Sequence, residues 1–168
     1  MINLLSWTRP VRVLYLEDDP IDAEALRRAL QRLRPGLELT VARSPHEARD
    51  ALEGAGGTGD FDVLVIDISL PEMNGFEFLE EVDRRGLRRG RRVVVFTSSG
   101  HRLDLQAAAR TRVDDYVMKT ADPVCFEELV VALDPARLQP APPGLQEERV
   151  PPPTFSGHRL QVLKPKGE

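Results

Sequence analysis

Four acidic residues, two hydroxyls and one lysine stand at the ends of apolar runs, and together they could manage a phosphoryl group. The run "VRVLYL" (11–16) passes directly into Glu17, Asp18 and Asp19, and "DVLVIDI" (62–68) carries Asp67 behind its apolar stretch. The run "RVVVFTS" (92–98) ends on Thr97 and Ser98, and "VDDYVMK" (113–119) ends on Lys119. Carboxylates gathered in one place repel one another and call for a cation, and hard oxygen donors suit Mg²⁺. A carboxylate can also act as a nucleophile toward phosphorus, with an ammonium and a hydroxyl neutralising the transferred oxygens. A more modest role competes for the first cluster, because an acid just before Pro20 suits a helix N-cap. Asp67 resists that reading: it lies behind "VLVI", where an unpaired carboxylate is costly. The choice of lysine is itself pointed. Of the 23 lysines and arginines only Lys119, Lys164 and Lys166 are lysines, so the first 163 residues hold a compact ammonium at one position alone.

Such groups need elements that bring them together. Five strand-length apolar runs, 11–16, 37–42, 62–68, 92–98 and 113–119, alternate with segments of helical spacing. Ile21, Ala25, Ala29 and Leu33 can share one helix face with Leu26 and Leu30 beside them. A second helix starts at Ser44–Pro45 and a third carries Phe78, Leu79 and Val82. A fourth covers Leu103 to Ala109, and a fifth follows Pro123 with Val124, Leu129, Val130 and Leu133. Several of the runs are continuous rather than alternating, as in a parallel sheet covered on both faces. The pattern predicts a doubly wound α/β fold, in which groups beyond the carboxyl ends of central strands face one crevice.

At "VLYLEDDP", "DVLVIDISLPEMNGFEFL", "VVVFTSS" and "DDYVMK" the chain resembles the receiver domain of bacterial two-component response regulators, over about residues 10–134. The resemblance implies a flavodoxin-like five-stranded parallel sheet of order 2-1-3-4-5. It makes Asp67 the phosphoacceptor, with Mg²⁺ held by Asp18, Asp19, Asp67 and the backbone carbonyl of Ser69. Thr97 and Lys119 match the residues that contact the phosphoryl group, and Tyr116 matches an aromatic switch coupled to Thr97. "EDDPIDAEALRRAL" and the spacer "RRGLRRGRR" look more particularly like single-domain regulators paired with bacteriophytochrome histidine kinases. Receivers usually follow this lysine with proline, often cis; here Thr120 follows, and a cis bond before threonine is expensive, so a trans bond is expected.

The expected function is a single-domain switch that accepts a phosphoryl group from a sensor histidine kinase and signals through protein contacts. It would catalyse its own phosphorylation and slow dephosphorylation without conventional turnover. A non-phosphorylated interaction module and a small phosphatase with an aspartate nucleophile are the alternatives. The phosphatase would need a second, free acid and a lid that 168 residues leave no room for. A net charge of −4 gives no general argument for nucleic acid, and "DRRGLRRGRR" (83–92) reads as a solvated basic loop at the far end of the sheet. Cys125 is the single cysteine and no run reaches membrane-spanning length, so a cytoplasmic setting is expected. Residues 1–134 are read as the receiver, and 135–168, rich in proline, as an arm rather than a domain. Its alternating "HRLQVL" (158–163) and Phe155 have too little apolar area to order alone, so docking on a second subunit, and hence a homodimer, is expected.

Overall fold

Continuous apolar runs give up no face to water, and each of them pairs with its neighbours as a strand of one sheet. The computed structural model describes residues 10–54 and 60–134. The strands are β1 (Val11–Leu16), β2 (Leu37–Ala42), β3 (Val63–Ile66), β4 (Arg92–Thr97) and β5 (Asp115–Met118). All pairings are parallel and the order is β2-β1-β3-β4-β5. The helices are α1 (Pro20–Leu33), α2 (Pro45–Glu53), α3 (Gly75–Arg84), α4 (Arg102–Arg110) and α5 (Val124–Ala132). This is the flavodoxin-like receiver arrangement expected from the sequence. Trp7 and the arm with Phe155 and residues 158–163 lie outside the described residues.

The sheet's two faces are sealed by different helices, which is why its central strands carry no polar side. Leu14, Leu16, Leu64, Ile66, Val93 and Val95 pack with α2 and α3 through Leu52, Phe78, Leu79 and Val82. The alternate residues Val13, Tyr15, Val63, Val65, Val94 and Phe96 pack with α1 and α5 through Leu26, Leu30, Cys125 and Leu129. Edge strand β2 is half-exposed instead, with Glu38 and Thr40 facing water.

Helix starts follow their capping residues. Asn74 and Glu77 form a capping box at α3, with Phe76 N donating to Asn74 Oδ1 at 2.8 Å and Asn74 N to Glu77 Oε2 at 3.0 Å. Ser44 caps α2 and Asp19 caps α1. The inward stripe of α1 is Ala23, Leu26, Ala29 and Leu30, one step round from the stripe expected through Ile21. Ile21 is 76% exposed, because the first turn of α1 stands at the mouth of the crevice rather than over the sheet.

The arginine loop departs in part from its reading as a solvated basic loop: Arg84, Arg85 and Arg89 are exposed, but Arg88, Arg91 and Arg92 turn back onto the protein. Arg91 is buried and donates to the carbonyls of Phe61 and Leu87. Arg88 binds Asp83 and the carbonyls of Thr111 and Arg112, while Arg92 pairs with Asp115 and reaches Ala132 O. Arg85 bridges Glu81 and Glu53. The guanidinium's fan of donors lets one side chain tie several carbonyls, so Arg88, Arg91 and Arg92 tie the amino ends of β4 and β5 to their neighbours, while Arg85 ties α3 to α2.

Candidate functional site

The strand order reverses between β1 and β3, so the loops beyond these two strands diverge and leave a crevice. Asp67 leaves β3 here and its N–H donates to Leu16 O at 3.0 Å, which fixes it beside Glu17. Both acids are buried. Lys119, beyond β5, is held at this edge through its own N–H, which donates to Thr97 O at 2.8 Å. Its ammonium donates to Asp67 Oδ2 at 3.0 Å, to Asp22 Oδ2 at 2.8 Å and to Glu17 Oε2. It also stands 5.6 Å from the centroid of the Phe96 ring. One ammonium therefore serves three carboxylates from β1, α1 and β3.

That imbalance sets the protonation of the group. The carboxylates hold the Lys119 ammonium above the ordinary lysine range despite its burial, Asp22 and Glu17 contributing as hydrogen-bond partners and Asp67 through its charge. Glu17 is raised, because burial outweighs the hydrogen bonds it accepts from Lys119, the Tyr15 hydroxyl and Asp19 N–H. Tyr15 is raised as well, first by burial and then by the charge of Glu17.

The three acids after β1 do different things. Glu17 points inward. Asp18 is half-buried, and its carbonyl accepts from Arg43 Nε at 3.1 Å and Nη2 at 2.6 Å, a fork from the end of β2 that pins the loop. Asp19 is exposed, and its Oδ1 accepts from Ile21 N at 2.7 Å, the cap that an acid before Pro20 suggested. Ser69, expected to lend its carbonyl, is exposed and its N–H donates to Asp67 Oδ1 at 3.0 Å.

Thr97 is fully buried at the end of β4, and its Oγ1 accepts from Ser99 N at 3.3 Å. Tyr116 lies inward against the α2/α3 side of the core, with its hydroxyl donating to Ser99 O at 2.5 Å. Burial first, then the charges of Asp104 and Asp67, raise this phenol. Ser99 Oγ in turn donates to Asp104 Oδ2 on α4, so one loop residue links Thr97, Tyr116 and α4. The Lys119–Thr120 bond is trans, as expected with threonine there.

Three participants escape a reading of the sequence. Tyr15 looks like strand filling, and Asp22 looks like an acid in a helix's first turn. Gly75 is the third: a Cβ there would lie 2.4 Å from Asp67 O and 2.8 Å from Ile68 Cα. The start of α3 therefore rests directly on the backbone that carries Asp67, as only glycine permits. Asn74–Gly75 was its sole signal.

The donor set fits a hard divalent cation by its chemistry: the carboxylates of Glu17, Asp22 and Asp67 outnumber the one ammonium they share, and Asp18 stands next to Glu17 in the chain. Among the described residues no three His, Cys, Asp or Glu side chains form a ready-made cage.

Comparison with known proteins places this geometry in a class. Residues 13–133 match the response regulator receiver domain, and the chain belongs to that family. It is 28% identical over 132 residues to the nitrate/nitrite response regulator protein NarL of Escherichia coli, covering 79% of this chain and 57% of that one. The chain thus spans little more than half of that relative's length. Among solved structures it is similar to the bacteriophytochrome response regulator AtBRR, with 30% identity, a TM-score of 0.61 and coverage of 74% and 93%. The response regulator TrrA of Thermotoga maritima, solved in complex with Mg²⁺ and BeF, has 27% identity, a TM-score of 0.59 and coverage of 73% and 98%. Among the described residues no helix is long and apolar enough to cross a membrane.

Proposed function

We propose that this chain is a phosphorylation-controlled switch in which Asp67 accepts a phosphoryl group from the phosphohistidine of a sensor histidine kinase. The observation that carries the reading is the ammonium of Lys119, 3.0 Å from Asp67 Oδ2 and shared with Glu17 and Asp22. A carboxylate oxygen of Asp67 attacks phosphorus, and the P–O bond forms as the P–N bond to the donor imidazole breaks. The electron pair stays on the imidazole nitrogen. Lys119 neutralises the phosphoryl oxygens, and the Thr97 hydroxyl, which accepts from Ser99, keeps its proton to donate to one of them. Mg²⁺, when bound, supplies further neutralisation of those oxygens. Asp18 and Asp67, with Glu17 behind them, would hold it, and Asp19, committed to its helix, would not.

The output is a change in protein contacts, with Thr97 and Tyr116 linked through Ser99 and α4. A surface formed by α4, β5 and α5 is the natural outlet, where Val124 is exposed and Phe126 is half-buried; the side chain of Leu103 lies outside the described residues. The similarity to AtBRR supports a bacteriophytochrome kinase as the partner. A homodimer, a cytoplasmic setting and a docked arm over 135–168 complete the proposal.

The test is labelling by a small phosphodonor or a cognate kinase. Asp67→Asn should abolish acid-stable, hydroxylamine-labile label while leaving the fold intact. Equal labelling of variant and parent overturns the acceptor, and a parent that never labels with Mg²⁺ present is an interaction module.

A further inference from the structure

Strand β1 is buried on both faces, and a Val, Leu or Phe at position 15 would satisfy it. The chain instead places a tyrosine there, 0% exposed, so a hydroxyl is carried into the core and must find a partner. Residues two apart on a strand face the same side, and the Tyr15 hydroxyl donates to Glu17 Oε2 at 2.7 Å. That same oxygen accepts from Lys119 Nζ. The ring of Tyr15 also stands 6.3 Å from Phe96, whose face lies under the Lys119 ammonium. Tyr15 therefore touches the ammonium's surroundings by two routes without touching Asp67.

Glu17 and Asp67 compete for one ammonium. A donor on Glu17 Oε2 partly satisfies that carboxylate and weakens its hold on Lys119. Without the hydroxyl, Glu17 Oε2 would lean on Lys119 for its side-chain donor and draw it away from the acceptor. We infer that Tyr15 is a positioning residue of the phosphoryl-transfer site, its hydroxyl occupying Glu17 so that Lys119 stays available to Asp67 and the incoming phosphoryl oxygens. The inference rests on Asp67 as acceptor, and parent labelling that is lost in Asp67→Asn checks that reading separately.

The test uses Tyr15→Phe, which keeps the ring and removes only the oxygen. Lys119 is the sole lysine before position 164, so its ¹⁵Nζ resonance can be assigned and followed without any activity. Tyr15→Phe should move that resonance in the parent and leave it in place in a Glu17→Gln background, where the competition is gone. Hydrogen bonds to charged groups are strong enough that labelling by a small phosphodonor should slow about tenfold in Tyr15→Phe. An unmoved resonance, an unchanged rate, or an equal shift in both backgrounds overturns the inference, the last because it marks a packing effect. A second variant guards against misfolding: 3-fluorotyrosine at position 15, in a Tyr116→Phe background, is a stronger donor and should speed labelling relative to tyrosine. No acceleration there also overturns it.

Discussion

Glu17 holds a position that works against the fold. Its carboxyl is fully buried and raised above the ordinary value of 4.5, with burial as the first cause. A group raised in the folded state contributes its full stability below the unfolded value and loses it as pH rises through the folded one. Glu17→Gln should therefore raise the melting temperature at neutral pH while Lys119 keeps Asp22 and Asp67, and the gain should fade below about pH 4.5. Thermal melts of parent and variant across that range check it. Tyr116 works the other way, since its hydroxyl reaches Ser99 O. Tyr116→Phe should cost about 1 kcal/mol in urea unfolding and reduce the difference in partner affinity between phosphorylated and unphosphorylated protein. The sequence told which acids cluster but not which way each faces. Glu17, Asp18 and Asp19 are adjacent in a loop, and only the angle at which β1 meets α1 decides that one points inward and another caps.

At the scale of elements, the strands and helices could be read almost directly, because a buried parallel strand allows few polar residues and α1, α2 and α3 begin at recognisable capping residues. Their ends were harder. The expected strand 62–68 shortens to β3 at Val63–Ile66, leaving Asp67 just beyond its end, where backbone and acid can be aimed separately. The inward stripe of α1 differs from the expected one because two apolar stripes lie one residue apart, and only packing on β1 selects Ala23, Leu26 and Leu30 over Ile21. Three predictions belong here. Asp19→Ala removes a cap and should cost about 1 kcal/mol, with Mg²⁺-dependent labelling close to the parent's. Asp18→Asn should instead weaken the Mg²⁺ dependence of labelling with little effect on stability. Gly75→Ala sets a methyl against Asp67 O. It should cost about 1–3 kcal/mol and slow labelling more than any loss of folded protein explains, as urea unfolding and labelling rates on one preparation will show.

For the whole molecule, the arginine loop and the crevice lie at opposite ends of the strands, so the ties that hold the amino ends of β4 and β5 are kept clear of the chemistry. Arg91→Met would leave the carbonyls of Phe61 and Leu87 without that donor. It should lower stability by about 2 kcal/mol or more and leave the labelling rate per folded molecule unchanged. Assembly is a separate matter. Sedimentation of the full chain beside a chain ending at Asp134, each with and without a phosphoryl analogue, should show a dimer that needs residues 135–168; identical species in all four samples remove the arm from assembly.

The arginine-for-lysine habit of this chain has a practical consequence for anyone wishing to attach something to it. Guanidinium groups ignore amine-directed reagents at neutral pH, and Lys119, bound by three carboxylates and held charged, offers almost no free base to react. Fluorophores, cross-linkers or surface tethers aimed at side-chain amines should therefore go to Lys164 and Lys166, far along the sequence from every site residue. A dye-conjugated preparation should accept phosphate at the parent's rate, and labelling kinetics beside the unmodified protein will check it.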